Sequence, residues 1–328
     1  MIYKKSNIRF LSILGQRGAF GYALTELVKE KSDIIALTGD LCITSGLERF
    51  YKKYPDKLIN AGIAEQNLFS ISAGMATMDY VPFATTFSNF AALRSNEQIR
   101  HFAGYLNENI KIVGFGAGFA MGMFGTTHYA IEDISAIRSI PNLTIFSPAD
   151  CLEVAKVTEA AYNIKGPVYI RLTGVMNHPI VYKDNYNFEV GKSIRFFNGK
   201  DIAIFATGIM VSKAIKLKKF FDESNIGVTI FNIHTIKPFD KTSILESLNF
   251  KLIVSLEEHS VIGGLGSVIA DNLCNFVEHP KLLKIGTKKE YQKAGDYEYM
   301  LNANDLSNDE IYMKIIEIYN IEGEKENE

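Results

Sequence analysis

Tryptophan is absent from this 328-residue chain, which also has only three cysteines and eight prolines. The cysteines, Cys42, Cys151 and Cys274, are far apart and form no CxxC pair, so the sequence indicates neither a disulfide framework nor a cysteine-bound zinc. The longest apolar stretch, around residues 112–125, is too short and too rich in glycine to cross a bilayer. We therefore expect a protein of the reducing cytoplasm with no membrane partner.

The chain also lacks an excess of charge of either sign. Its 35 basic and 37 acidic residues give a formal net charge of -2, and no long run of Lys or Arg occurs. Such a balance gives no electrostatic reason to expect nucleic acid as a partner. An apolar run near the start is interrupted by residues 15–17, which is not the pattern of a signal peptide.

Short apolar runs typical of strands alternate with helical segments along the whole chain. In the first half the strand-like runs are 34–38, 81–85, 110–115, 143–146 and 168–172, and in the second half they are 202–206, 228–233, 252–256 and 282–285. The pattern predicts an α/β fold with two domains, each a mainly parallel sheet flanked by helices. We place them at residues 1–178 and 191–328, with a polar linker at 179–190.

Two helix boundaries can be predicted from local residues. Ser147 precedes a proline and an acid, so it is a candidate N-cap for a helix that ends near Tyr162. The Lys- and Glu-rich tail after Tyr319 is expected to fray.

Glu65 is the residue with the clearest functional signal. It lies in Asn60-Ala-Gly-Ile-Ala-Glu-Gln-Asn67, at the start of an otherwise apolar helix. An acid at this position can simply offset the helix dipole, and Phe87 and Phe90, three residues apart further on, can simply pack in the core. Their functional interpretation depends on the motifs around them.

The order of these motifs resembles the pyrimidine-binding half of the transketolase family. A strand-like run at 33–40 is followed by the Glu65 segment, then by Thr86-Phe-Ser-Asn-Phe90, then by a glycine-rich loop that ends in Gly125-Thr-Thr-His128. The second half resembles the transketolase C-terminal domain, in Ala206-Thr-Gly208, Ile236-Lys-Pro-Phe239 and the segment 257–266. The resemblance covers the chain from about Arg17 to Ile318.

The resemblance implies a site for thiamine diphosphate. In the family, a glutamate at the position of Glu65 hydrogen-bonds N1′ of the aminopyrimidine, and aromatic residues at the positions of Phe87, Phe90 and Leu93 line the ring. Leucine stands here where the family usually has tyrosine. A histidine at the position of His128 is placed over the reactive carbon, so Glu65 and His128 are the expected catalytic residues.

The resemblance also implies a binding site for a substrate phosphate. Arg17, Thr44 and Arg171 match the family positions that hold it. Met123 and Phe124 replace an acidic pair that usually precedes the histidine loop, which argues against ordinary pentose-phosphate exchange. Gly263-Gly-Leu-Gly266 before a helix could cradle a phosphate, although a tight turn explains it equally well.

A metal site within the chain is not expected. Glu257, Glu258 and His259 are adjacent in a predicted strand, so their side chains alternate between its faces. In the family, Mg²⁺ and the diphosphate are held by a separate N-terminal domain through a Gly-Asp-Gly segment and a later Asn. That pair is missing, because Gly39-Asp40-Leu41 fails at the third position.

We therefore expect an N-terminal transketolase subunit as obligate partner, which holds most of the cofactor's diphosphate and Mg²⁺. By analogy with the family the two chains form a heterotetramer with two copies of each (α₂β₂). The predicted function is the C-terminal subunit of a split transketolase, which moves a two-carbon ketol unit between ketose and aldose sugars, with sugar phosphates as substrates.

Two other interpretations remain open. One is a related thiamine-dependent enzyme, either the β subunit of a 2-oxoacid dehydrogenase or an enzyme like deoxyxylulose phosphate synthase. The other is a non-catalytic paralogue that regulates a catalytic partner. The presence of Glu65, His128 and the arginines weighs against the second, because a purely structural subunit has no need of a buried acid.

Overall fold

The computed structural model describes residues 4–174 and 176–325. In this part of the chain twelve strands form two sheets. The strands are β1 Ile34–Thr38, β2 Leu58–Asn60, β3 Val81–Phe87, β4 Lys111–Ala117, β5 Thr144–Phe146, β6 Val168–Thr173, β7 Ile194–Phe196, β8 Ile202–Ala206, β9 Val228–Asn232, β10 Thr235–Lys237, β11 Leu252–Ser260 and β12 Lys281–Thr287.

Each sheet is parallel except for one strand at its edge. The first has the order β10-β5-β6-β4-β3-β1-β2, and the second has the order β12-β11-β8-β9-β7. Only β10 in the first sheet and β7 in the second run antiparallel to their neighbours. The predicted α/β fold with two mainly parallel sheets is confirmed.

Helices cover both sheets, as parallel strands require, because their connections cross over the sheet faces. The α-helices are α1 Lys5–Leu27, α2 Glu48–Lys53, α3 Glu65–Ala76, α4 Asn96–Gln98, α5 Asp133–Ile137, α6 Cys151–Asn163, α7 Met210–Glu223, α8 Lys241–Ser247, α9 Leu265–Leu273, α10 Tyr297–Ala303 and α11 Asn308–Lys325. Wider π-helical turns, Phe90–Arg94 and Ile99–Tyr105, flank α4, so the helical stretch over residues 90–105 is irregular.

Helix α1 is interrupted at Gly15, whose φ of 72° is outside the helical range. The break directs the buried side chain of Gln16 toward the sheet. Its amide donates to the Pro148 carbonyl at 2.9 Å and accepts from the Thr173 N–H at 2.6 Å. Glycine is suited to this backbone conformation, and Gln16 satisfies two backbone groups that the fold would otherwise bury.

The two sheets belong to one continuous body. Strand β10, from the second half of the chain, pairs with β5 in the first sheet. One apolar core contains residues of both halves, among them Leu68, Ile134, Phe205, Ile253 and Leu265. Burial of a shared core of this kind disfavours independent movement of the halves.

The segment that joins the halves packs against the start of α6. Asp150 Oδ2 accepts from the N–H groups of Val181 and Tyr182, both at 2.9 Å. Burial raises the pKa of Asp150 to about 6. The expected linker is thus fastened to the first sheet's helices at this point.

Two local expectations need correction. The N-cap of α6 is Asp150, whose side chain accepts from the Glu153 N–H, and not Ser147, whose N–H donates to the His234 carbonyl. The tail after Tyr319 is helical through Lys325. Its last residues, 326–328, lie outside the described part of the chain.

Candidate active site

Glu65 is the first residue of α3 and is only 4% exposed. The turn before it is fastened by Asn60, whose Oδ1 accepts from the N–H groups of Asp40 and Gly62, each at 3.0 Å. The Asn60 amide also donates to Asp40 Oδ1 at 2.9 Å. Asn60 thereby joins the loops that follow β1 and β2, at the carboxyl edge of the sheet where sites in α/β proteins form.

Arg94 is the direct partner of Glu65. Its Nη1 donates to Glu65 Oε2 at 2.9 Å, and its guanidinium carbon lies 3.8 Å from the centre of the Phe90 ring. The side chain of Arg94 is 48% exposed. A planar group with N–H donors therefore lies on the Phe90 ring and bonds the buried acid.

The expected aromatic residues form one cluster with His128. The Phe87 and Phe90 ring centres are 5.3 Å apart, and the His128 ring lies 5.4 Å from the first and 5.5 Å from the second. Phe124, at 5.3 Å from His128, extends the cluster outward. Leu93, in the π-helical turn that begins at Phe90, is 51% exposed. The structure thus brings Glu65, Phe87, Phe90 and His128 into one region.

His128 is held by its neighbours in the loop. Its Nδ1 lies 2.8 Å from Thr127 Oγ1, and the Asn89 amide donates to the Thr127 carbonyl at 2.6 Å. The other amide atom of Asn89, Oδ1, is buried and has no hydrogen-bond partner. A buried acceptor without a donor is unusual. This one, Asn89 Oδ1, lies between Phe87 and Phe90 in the sequence.

Arg17 and Thr44 are also brought together. Arg17 Nη1 donates to the Thr44 carbonyl at 2.9 Å, and both residues are half-buried. Burial lowers the pKa of Arg17 from its usual value. The loop after Thr44 packs so closely against Arg17 that a Cβ on Gly46 would lie 2.2 Å from the Arg17 carbonyl oxygen.

Arg171 does not have the position expected of a phosphate ligand. It is 1% exposed, and its Nε donates to the carboxylate of Asp133 at 2.8 and 3.1 Å. Its Nη2 donates to the Glu258 carbonyl at 3.0 Å and contacts the Ala130 carbonyl at 3.4 Å. The sequence-based expectation is corrected here, because Arg171 is a buried structural cation with its N–H groups directed inward.

The segment 257–266 shows how the second domain uses its acidic residues. Glu257 accepts from the N–H groups of Leu265 and Gly266, at 2.6 and 2.8 Å, so its carboxylate occupies the N-terminus of α9 where a phosphate could otherwise bind. Glu258 points the other way, toward Phe119. Within residues 4–174 and 176–325 no group of three or more His, Cys, Asp or Glu could hold a metal ion.

Comparison with known proteins decides the family. The model of the transketolase pyrimidine-binding domain matches residues 14–174, and the model of the transketolase C-terminal domain matches residues 191–311. The chain belongs to the transketolase family. It is a transketolase-type subunit, like the corresponding subunits of split enzymes. No helix in the described part of this family member is long and apolar enough to cross a membrane.

Three relatives show which members of the family it resembles. The 6-deoxy-6-sulfo-D-fructose transketolase subunit SqwH of Clostridium sp. is 34% identical over 88% of this chain and 89% of its own. One subunit of the apulose-4-phosphate transketolase from Actinobacillus succinogenes is 32% identical over 87% and 92%. A solved structure described as a split gene transketolase, inactive beta4 tetramer, aligns with a TM-score of 0.84 and 34% identity over 94% and 98%.

Sequence reasoning missed three contributors to the site: Arg94, Asn60 and Asn89. Asn60 has a local signal, since it opens the Glu65 motif. The contact of Arg94 with Glu65 joins residues 29 apart, and that of Asn89 with Thr127 joins residues 38 apart. Neither pairing follows from a local pattern.

Proposed function

We propose that this chain is the C-terminal subunit of a split transketolase that uses thiamine diphosphate to transfer a two-carbon ketol unit between sugars. Glu65 and His128 are its catalytic residues in this proposal. Phe87, Phe90 and Leu93 contact the cofactor's pyrimidine ring, together with Glu65. The proposed division of the chain stays at residues 1–178, 179–190 and 191–328.

The position of Arg94 is the observation that carries the proposal. Its guanidinium is a flat group that covers the Phe90 ring while an N–H bonds the Glu65 carboxylate. An aminopyrimidine ring needs the same two contacts, an aromatic surface beneath it and a carboxyl group at its ring nitrogen. The residues present therefore fit the ring, and the two contacts of the Arg94 side chain support binding of the ring on Phe90 beside Glu65.

The bound cofactor would supply the electron sink for cleavage of the bond next to a ketose carbonyl. Glu65 would hold a proton at the pyrimidine nitrogen, where burial excludes competing water. His128 would present its free ring nitrogen to the substrate, since Nδ1 is already directed to Thr127. Phe87 and Phe90 would orient the ring and keep the region dry.

A partner subunit is the second part of the proposal. The sequence lacks the Gly-Asp-Gly segment that holds diphosphate and Mg²⁺ in the family, so these would be held mainly by an N-terminal transketolase subunit in an α₂β₂ assembly. Large apolar side chains near the site are exposed, among them Ile43, Ile63, Leu93, Met123 and Phe124. Such a concentration is typical of a surface that another chain covers. The relative described as a beta4 tetramer is also described as inactive.

The substrates are proposed as a class, sugar phosphates, with Arg17 and Thr44 as candidate phosphate contacts. The two named relatives are described as acting on different sugars, one sulfonated and one phosphorylated. Met123 and Phe124, both exposed, are the residues most suited to set the difference, because Phe124 lies against His128, Met123 is its neighbour in the chain, and neither is an acid that could bind a sugar hydroxyl.

The test is a ketol-transfer assay of the chain assembled with its N-terminal subunit, on a panel of phosphorylated, sulfonated and unmodified ketoses. The variants are Glu65→Gln and, as a control, Asp309→Asn, which removes an exposed acid from the first turn of α11. We expect transfer by the wild type and the control, and at least about 100-fold slower transfer by Glu65→Gln. Full activity of Glu65→Gln, or transfer by the chain without its partner, would refute the proposal.

A further inference from the structure

The loop that carries His128 touches the second domain at several points. This loop, residues 118–130, leads from β4 to α5. The Gly295 N–H donates to the Gly122 carbonyl at 3.2 Å, and the Tyr129 hydroxyl donates to the Gln292 carbonyl at 3.2 Å. Just beyond the loop, the Ser260 N–H donates to the Ile131 carbonyl at 2.7 Å. The second domain thus packs against one side of the His128 loop.

Glu258 brings a buried carboxylate to the start of this loop. Its Oε1 accepts from the Phe119 N–H at 2.5 Å, and its Oε2 accepts from the Tyr297 hydroxyl at 2.8 Å. An ideal Cβ on Gly118 would lie 2.4 Å from the Glu258 carboxyl carbon. The loop therefore approaches this carboxylate more closely than any residue other than glycine allows.

We infer that Glu258 is a positioning residue, which holds the start of the His128 loop and so fixes the place of His128 in the site. This inference rests on the proposed function. It makes the second domain part of the machinery that orders the reacting groups, and it gives Glu258 a role distinct from that of its neighbour Glu257.

The burial of the contact explains why it would control the loop. Glu258 is 1% exposed, so water cannot replace it as acceptor for the Phe119 N–H or the Tyr297 hydroxyl. The far end of the loop is held without the Glu258 carboxylate, because Arg171 Nη2 donates to the backbone carbonyls of Ala130 and Glu258. With both ends held, the short turn Gly122–Phe124 and the His128 N–H, which donates to the Gly125 carbonyl at 3.0 Å, leave the ring little freedom.

The test compares Glu258→Ala and Glu258→Gln with a matched control, Glu257→Ala. The control removes a buried acid one residue away that bonds α9 and not the loop. Glutamine keeps an oxygen for the Phe119 N–H. Tyr297→Phe, which removes the donor to Oε2, is a milder change that keeps the inference testable if Glu258→Ala fails to fold.

Two measurements are made. Hydrogen exchange of the isolated full chain reports whether the loop amides open, and kcat and KM of the assembled enzyme report the consequence. We expect faster exchange across residues 118–130 in Glu258→Ala, a smaller increase in Tyr297→Phe, and wild-type exchange in Glu258→Gln and Glu257→Ala. The kcat of Glu258→Ala should fall about 100-fold with KM nearly unchanged, as a displacement of about 1 Å can cause.

Wild-type exchange in Glu258→Ala and Tyr297→Phe would overturn the inference, as would an equal effect of Glu257→Ala on the loop. Failure of the proposed function is seen separately, as an assembled wild-type enzyme that transfers no ketol unit. The exchange measurement needs no substrate or cofactor, so its result is independent of that failure.

Discussion

Replacing Arg171 with methionine should lower the free energy of unfolding and leave the affinity for phosphorylated sugars unchanged. Arg171 and Asp133 are 1% and 0% exposed at their side chains, and both Asp133 carboxylate oxygens accept from Arg171 Nε. After the substitution the carboxylate keeps the Tyr169 hydroxyl, at 2.8 Å, as a hydrogen-bond donor. Removal of one partner from a buried ion pair costs about 3–5 kcal/mol, because the other charge stays buried without compensation.

The effect on melting follows from that cost. One kcal/mol corresponds to about 2–4 °C in domains of 150–250 residues, so Arg171→Met should lower Tm by about 6–20 °C. Thermal unfolding followed by circular dichroism measures it. A matched control is Arg195→Met, which breaks an ion pair with Glu246 in which both side chains are more than two-fifths exposed. Exposed pairs contribute up to about 1 kcal/mol, so the control should melt within a few degrees of the wild type.

A second variant separates charge from packing. In the double variant Arg171→Met with Asp133→Asn the uncompensated charge is gone, and part of the lost stability should return. The reasoning would be refuted if Arg171→Met melted like the wild type while the assembled enzyme lost affinity for phosphorylated sugars. That result would restore Arg171 as a phosphate ligand.

Three further results are expected. Glu65→Gln should lower kcat of the assembled enzyme by at least about 100-fold, the usual contribution of a positioned acid or base, and a smaller loss in a ketol-transfer assay would contradict its role. Arg94→Met should tighten thiamine diphosphate binding about fivefold in calorimetry, because the cofactor no longer displaces an ion pair worth up to about 1 kcal/mol; weaker binding would show that Arg94 holds the cofactor instead. Burial raises the pKa of Glu258 to about 7, so its contribution to stability is complete below the unfolded value near 4.5 and is lost as pH rises through 7. The free energy of unfolding, measured with urea, should therefore fall less between pH 5 and 8 in Glu258→Gln than in the wild type. An equal fall in both proteins would show that Glu258 does not titrate in this range.

Much of the fold could be predicted because its signals are local. Strands β1 and β8 have the bounds that their apolar runs indicate, Ile34–Thr38 and Ile202–Ala206. For helix α6 the sequence predicts a start that is too early, because Ser147 and Asp150 are both suitable caps. The choice is made by tertiary contacts, since the Ser147 carbonyl, which would accept the first helical hydrogen bond in an N-cap, accepts from the Gly208 N–H at 3.2 Å.

The parts that could not be predicted depend on residues far apart in the chain. Pairing of β10 with β5 across the domain boundary is one case, and the contact of Glu258 with Phe119, 139 residues away, is another. For Arg171 the dependence on a distant residue led to a wrong prediction. Its place at the end of a strand matched a phosphate-binding pattern, but the buried Asp133 that determines its role is 38 residues distant.

The central claim is that this chain holds the pyrimidine side of a cofactor site and needs a partner for the rest. The most direct test is calorimetric titration of thiamine diphosphate with Mg²⁺ into this chain alone, into the chain assembled with its N-terminal subunit, and into the same assembly with Glu65→Gln. We predict binding only by the assembly, weakened by the substitution. Tight binding by the isolated chain, or binding by the assembly that is indifferent to Glu65, would contradict the claim.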